Sequence, residues 1–245
     1  MNMTDNTILI TGGGSGIGRA LAEALQARGN KVIIAGRRAD ALAEVAAANP
    51  GMATATLDVS DAADIARFAK DVIAAHPALN VVIHNAGIMI VEGLVTDTDP
   101  DIAEATVATN LLGPLRLNAA LLPHLLAQPK ATVATVSSGL AFVPLAATPT
   151  YSATKAAIHS WSQSLRHQLK DTNVEVVEIA PPGVATDLMP GHAENPQSMP
   201  LAEYIAETMA QLEAQAPENL VERVKFLRFA EVRGDYDQVF AALNG

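Results

Sequence analysis

Two side chains suited to proton transfer stand four residues apart in Tyr151-Ser-Ala-Thr-Lys155. That spacing puts both on one face of a helix, where the lysine's charge favours the phenolate. A free tyrosine has a pKa of about 10, so such help is needed if it is to give or take a proton near neutrality. Earlier in the chain runs a glycine-rich turn, Thr11-Gly-Gly-Gly-Ser-Gly-Ile-Gly18. Gly12, Gly16 and Gly18 follow an apolar run and open a helical pattern, and Gly14, Ser15 and Ile17 complete the turn. Without side chains, backbone N–H groups can approach a pyrophosphate at the positive end of a helix. The alternative is a tight strand-to-helix turn with no ligand, but so many glycines cost stability. Together the motifs imply a dinucleotide cofactor beside a proton-transferring tyrosine. That combination points to redox chemistry on a carbonyl or alcohol.

Cofactor choice is read at the end of the second apolar run, Ile33-Ile-Ala-Gly-Arg-Arg38. An acid there would hold a ribose 2′-hydroxyl; this chain has Gly36, then Arg37 and Arg38. Guanidinium pairs with a 2′-phosphate, so NADP(H) is expected over NAD(H), the alternative being two solvated loop arginines. Asp58 and Val59 end the third run, where an adenine would lie; Asp58 either accepts from its amine or is a turn residue. Asn85, Ala86 and Gly87 end the fourth run and are small enough for close approach to a ribose.

Positioning these groups requires alternating strands and helices. Strands are predicted at Thr7–Thr11, Lys31–Gly36, Ala53–Val59, Val81–Asn85, Ala131–Ser137 and Val174–Ala180. Helices are predicted at Gly18–Gly29, Asp40–Ala48, from an N-cap at Ser60 to about Ala75, at Ile102–Leu126 and at Thr150–Lys170. Pro114 and Pro123 predict a kink or early end in the fourth of these. The Pro- and Gly-rich stretch 183–200 reads as a mobile substrate loop, and the last 45 residues as two or three amphipathic helices. Right-handed crossovers then favour one α/β domain over residues 1–245, a doubly wound (Rossmann) parallel sheet in the order 3-2-1-4-5-6.

Composition bounds the function. The chain of 245 residues is 49% hydrophobic but 4% aromatic, which suits aliphatic strands buried on both faces. A formal charge of −10 argues against nucleic acid or an anionic membrane as partner. With no cysteine, thiolate chemistry is excluded. No run approaches the roughly 20 apolar residues of a membrane span, and no basic region precedes the first apolar run. A cytoplasmic enzyme is the expectation. No histidine pair has convincing metal spacing, so no metal is predicted; His84 reads as a polar strand-end residue.

The motifs Thr11-Gly-x-x-x-Gly-Ile-Gly18, Asn85-Ala-Gly87, Asn110, Ser138 and Tyr151-x-x-x-Lys155 resemble those of the short-chain dehydrogenases/reductases, over roughly residues 7–187. The resemblance implies that Tyr151 protonates a carbonyl oxygen as hydride arrives, or deprotonates the alcohol in reverse. It assigns Lys155 to the phenolate, Ser138 to the substrate oxygen, and Asn110 to a water linking Lys155 to solvent. Ser138, not Ser137, has the family's separation from the tyrosine. Pro182, Gly183 and Thr186 would contact the nicotinamide carboxamide, although the segment is one residue shorter than usual. That shortening and the helical C-terminus resemble a branch associated with D-alanylation operons.

Many relatives carry a glycine-rich C-terminal seventh strand that builds a tetramer. None is visible in Phe226–Asn244, so a homodimer through the helices of Asn110 and Tyr151 is favoured, with a tetramer as the alternative. Leu140, Phe142, Met89, Leu188 and Met189 are candidate pocket walls or else ordinary packing. They suit a small neutral carbonyl or alcohol substrate, and no basic cluster flanks the motif to clamp an anion. The leading reading is an NADPH-dependent reductase of a ketone or aldehyde. A non-catalytic NADPH-binding sensor would show degenerate catalytic positions. A sugar epimerase or dehydratase would need more than the about 60 residues after Gly183.

Overall fold

Strands buried on both faces can stack only side by side beneath two layers of helices, and this chain does so. The computed structural model describes residues 1–96 and 98–245. Its strands are β1 (Thr7–Thr11), β2 (Lys31–Gly36), β3 (Ala53–Thr56), β4 (Leu79–His84), β5 (Ala131–Val136), β6 (Val174–Ile179) and β7 (Glu218–Asn219). They form one parallel sheet in the order β3-β2-β1-β4-β5-β6-β7. The helices are α1 (Gly16–Gln26), α2 (Ala39–Ala48), α3 (Ala62–Ala75), α4 (Pro100–Val107), α5 (Gly113–Leu126), α6 (Pro149–Gln168) and α7 (Leu201–Glu213). Three shorter ones follow: α8 (Glu222–Arg228), α9 (Ala230–Arg233) and α10 (Tyr236–Asn244).

Alternation along the strands splits the core in two. Ile8, Ile10, Val32 and Ile34 pack with Leu21 and Leu25 of α1 and Tyr204 of α7. Leu9, Ile33, Val82 and Val133 pack with Phe68 of α3, Leu117 and Leu121 of α5 and Leu165 of α6.

The doubly wound sheet stands as expected, with one addition. The seventh strand exists, but it is the two-residue β7, ahead of the segment in which it was sought; Phe226–Asn244 is helical. Two residues joined by Glu178↔Glu218 and Ile179↔Asn219 are too few to leave a periodic signal. Other boundaries shift. Strand β3 stops at Thr56, leaving Asp58 and Val59 in the following turn. Asp61, not Ser60, caps α3, accepting from Ala63 N at 2.7 Å and Asp64 N at 3.3 Å. The predicted helix over 102–126 is two helices joined by a π turn, Ala108–Leu112. Neither proline makes that break: Pro114 begins α5 and Pro123 lies inside it. The segment 183–200 is tied at its base by Met199 N to Gly183 O at 2.7 Å and Ala185 N to Met199 O at 2.9 Å. Among the described residues, no helix is long and apolar enough to cross a membrane.

Candidate active site

The glycine turn joins β1 to α1 at the carboxyl edge of the sheet, where doubly wound folds bind ligands. Gly12 has φ +70°, and a Cβ there would sit 2.9 Å from Ala86 Cα. At Gly18 a Cβ would overlap the Asn85 amide and the Gly12 carbonyl. Asn85 accounts for this crowding: its Nδ2 donates to Thr11 O at 2.9 Å, while Thr11 Oγ1 accepts from the Asn85 and Ala86 amides, each at 3.1 Å. The two strand ends are thereby locked together. Replacing Gly18 with Ala should therefore destabilise the fold by about 1–3 kcal/mol, read by urea unfolding. A loss below about half a kilocalorie would show that the contact relaxes freely.

Ser15, the residue before α1, makes no side-chain cap, so the first amides of that helix are left for another acceptor. They border a cleft of about 1090 Å³ that runs from Arg37 and Arg38 past Gly12, Gly14, Ser15, Gly16 and Ile17 to Tyr151. The open amides, the missing side chains and the guanidinium groups at one end fit a dinucleotide with an added phosphate. Arg38 Nη2 already reaches Ser15 Oγ at 3.1 Å. Val59, Asn85, Ala86, Gly87, Pro182, Gly183 and Thr186 also line the cleft.

Asp58 does not. Its Oδ1 accepts from the Ser60 amide at 2.9 Å and the Ser60 hydroxyl at 2.7 Å, so it is a turn residue. Gly18 too lies behind the cleft, where its role is the close packing just described.

At the other end, α6 brings Tyr151 and Lys155 against the end of β5. Lys155 Nζ stands 5.4 Å from the centroid of the Tyr151 ring and donates to Val136 O at 2.8 Å. Ser138, just past β5, lines the same cleft, and its Oγ accepts from Leu140 N at 3.1 Å. Asn110 sits in the π turn, whose widened backbone carries its side chain to the loop after β4. There Oδ1 accepts from Ile88 N at 2.9 Å and Nδ2 donates to Ile88 O at 2.8 Å. It is buried behind Gly87, so Thr109, not Asn110, faces the cleft.

Burial dominates the ionisation here. It pushes the Tyr151 phenol up to about 12, with the Ser138 hydroxyl pulling the other way. It pulls the Lys155 ammonium down to about 8. The charge of Lys155 is thus costly, and it is lost as pH rises through that value.

The cleft is also lined by Met89, Leu140, Leu188 and Met189, four of the residues named from the sequence as candidate pocket walls. Phe142 is not there. Its ring packs edge-on against His159 with centroids 4.8 Å apart, and the Arg228 guanidinium lies 4.7 Å from its centroid. The walls that sequence reading missed are Leu145, Leu227, Ala242 and Leu243. No local signal marks them, because they come from the segment before α6 and from α8 and α10. Beside the cleft, the buried Glu178 carboxylate accepts from Ser137 Oγ at 2.6 Å and contacts His159 Nδ1 at 2.9 Å. Glu218 lies with them, within 4.8 Å, and pairs with Arg228 at 3.0 Å.

Residues 6–197 match the family model described as short chain dehydrogenase. The chain is a short-chain dehydrogenase/reductase. As an oxidoreductase of that family it is 41% identical to the uncharacterized oxidoreductase DltE of Bacillus subtilis, over 100% of this chain and 98% of that one. The branch expected from the shortened Pro181–Thr186 segment and the helical C-terminus is therefore met. A short-chain dehydrogenase from Streptomyces avermitilis is 29% identical, with a TM-score of 0.81 over 99% of this chain and 96% of the other. Another, from Burkholderia cenocepacia in complex with NADP, is 24% identical with a TM-score of 0.85 over 99% of each chain, a likeness of fold.

Proposed function

We propose that this short-chain dehydrogenase is an NADPH-dependent reductase of a neutral ketone or aldehyde. The observation that carries the reading is a single cleft with two chemically distinct ends. Arg37 and Arg38 stand at one, and Ser138, Tyr151 and Lys155 among aliphatic walls at the other. The nicotinamide cofactor supplies the hydride. Ser138 hydrogen-bonds and orients the carbonyl oxygen, and Tyr151 gives that oxygen its proton. Lys155 stabilises the phenolate left behind. Asn110 holds the Ile88 backbone beside Gly87 and Lys155, shaping the path by which a water can resupply the proton. The aliphatic walls exclude bulk water. A homodimer through α5 and α6 is the assembly we favour.

The test is consumption of reduced cofactor with neutral aldehydes, aryl ketones and diketones, with NADPH and NADH in parallel. Turnover that prefers NADPH is expected. Tight NADPH binding with no turnover across the panel would favour a non-catalytic role.

The pH dependence follows from the two ionisations. Reduction needs Tyr151 protonated, which holds up to about 12, and Lys155 charged, which fails above about 8. The kcat/KM for reduction should be level on the acid side and fall as pH rises through about 8. A profile that rises through that value would remove Lys155 from the role given to it.

A further inference from the structure

We propose that α10 is a built-in end wall that sets the length of the substrate, selecting compact neutral ketones whose apolar arm stops against Leu243. This rests on the reductase reading of the cleft and adds the group that limits its contents.

The helix is fastened to the segment just before the tyrosine-bearing helix α6 by polar contacts that span the chain. Asn244, its last residue, accepts from Ala146 N at 2.5 Å and donates to Pro144 O at 3.1 Å and Phe240 O at 2.9 Å. The segment it grips runs straight into α6. Leu145 N donates to Ser152 Oγ at 3.2 Å, and Ser152 is next to Tyr151. Glu92 in turn accepts from Thr150 N at 3.1 Å and Thr150 Oγ1 at 2.6 Å. The start of α6 is thus held between two loops, one of them bonded to α10. The position of the wall is tied to that of the proton donor.

What the wall presents is aliphatic. Ala242 and Leu243 line the cleft with Leu145, Leu227 and Leu140. Leu243, with Leu227, Tyr236 and Phe240, packs against the buried Val143, Ala230 and Val239, a small core that backs the wall. The cleft's basic groups are Arg37 and Arg38 at the far end and Lys155 at the tyrosine, apart from His192 in the loop before α7. Burial lowers the His192 pKa below its ordinary value, which disfavours the charged ring. An anionic substrate would find no cation at the α10 end, whereas an alkyl or aryl arm would find matched surface. Such a wall discriminates by methylene count, each one too many costing about tenfold or more.

The test uses methyl ketones from butanone to decanone for turnover with NADPH. The matching straight-chain primary amides, which keep the carbonyl but resist hydride addition, are used for calorimetric binding to the NADPH-loaded protein. Wild-type protein is expected to show a sharp length optimum in both. Leu243→Ala should move the optimum to longer chains, improving the first excluded ketone by about tenfold. Ala242→Phe, on an exposed position of the helix, should move it to shorter ones, so the inference does not hang on a variant that weakens the core. An unchanged optimum in both variants, or equal loss at every length, would overturn the inference. So would failure of every amide to bind. If amide binding shifts with length while no ketone is reduced, the wall stands and the reductase reading fails.

Discussion

Tyr151→Phe should lower the reduction rate by about a thousandfold, within the range that general acid catalysis contributes. The change deletes one oxygen from a ring that is already buried, so packing is kept. Lys155 remains bonded to Val136 O, and the glycine turn and arginines are untouched. NADPH affinity should therefore change by no more than about twofold, a difference of less than half a kilocalorie. Transient kinetics and cofactor fluorescence titration read these two effects separately. Turnover within about tenfold of wild type would move the proton donor elsewhere. A large fall in both turnover and affinity would make the phenylalanine variant a structural lesion instead of a chemical one.

The second large effect concerns the other end of the cleft. Arg37→Ala with Arg38→Ala should lower kcat/KM for NADPH by about a hundredfold, roughly 1.4 kcal/mol for each guanidinium at an exposed site. NADH, which lacks the 2′-phosphate, should be nearly unaffected. The effect should shrink as salt rises, because both arginines are exposed. Adding Gly36→Asp should raise activity with NADH, since a carboxylate at the end of β2 can hold the ribose hydroxyls. Space exists for that side chain: a Cβ at Gly36 would have Leu42 Cδ2 as its nearest neighbour, at 3.9 Å. Equal losses with the two cofactors would show that the arginines support the turn and do not read the phosphate.

Much of this is legible in the sequence alone. Six strands and most of the helices between them follow from pattern, the inner strands because burial on both faces demands apolar runs, whereas β3 is half exposed. Tyr151 and Lys155 lie one turn apart, so a helix alone brings them together. The glycine turn and Asn85-Ala86-Gly87 lie at the ends of neighbouring strands. What stayed hidden was nonlocal or brief. The edge strand β7 is two residues long, and its pairing depends on β6 being in place. The break between α4 and α5 falls at Asn110, where the prolines gave no warning. Phe142 and Asp58 are plausible site residues on position alone, but in the fold neither lines the cleft.

The sequence by itself determined the family, the sheet, and the order in which the glycine turn, Asn85-Ala86-Gly87, Ser138 and Tyr151 with Lys155 are laid along the chain. These are properties of short segments, set by hydrophobic period, helix spacing and missing side chains. Tertiary structure alone decided the ionisation of Tyr151 and Lys155, because desolvation depends on what packs around them. It also decided the aliphatic lining of the cleft. Leu145, Leu227 and Leu243 meet there only after α8 and α10 fold back over the turn that follows Ser138, with Asn244 bonding to backbone 98 and 100 residues away. Contacts of such separation leave no period in a sequence, because their partners are joined by packing and not by position in the chain.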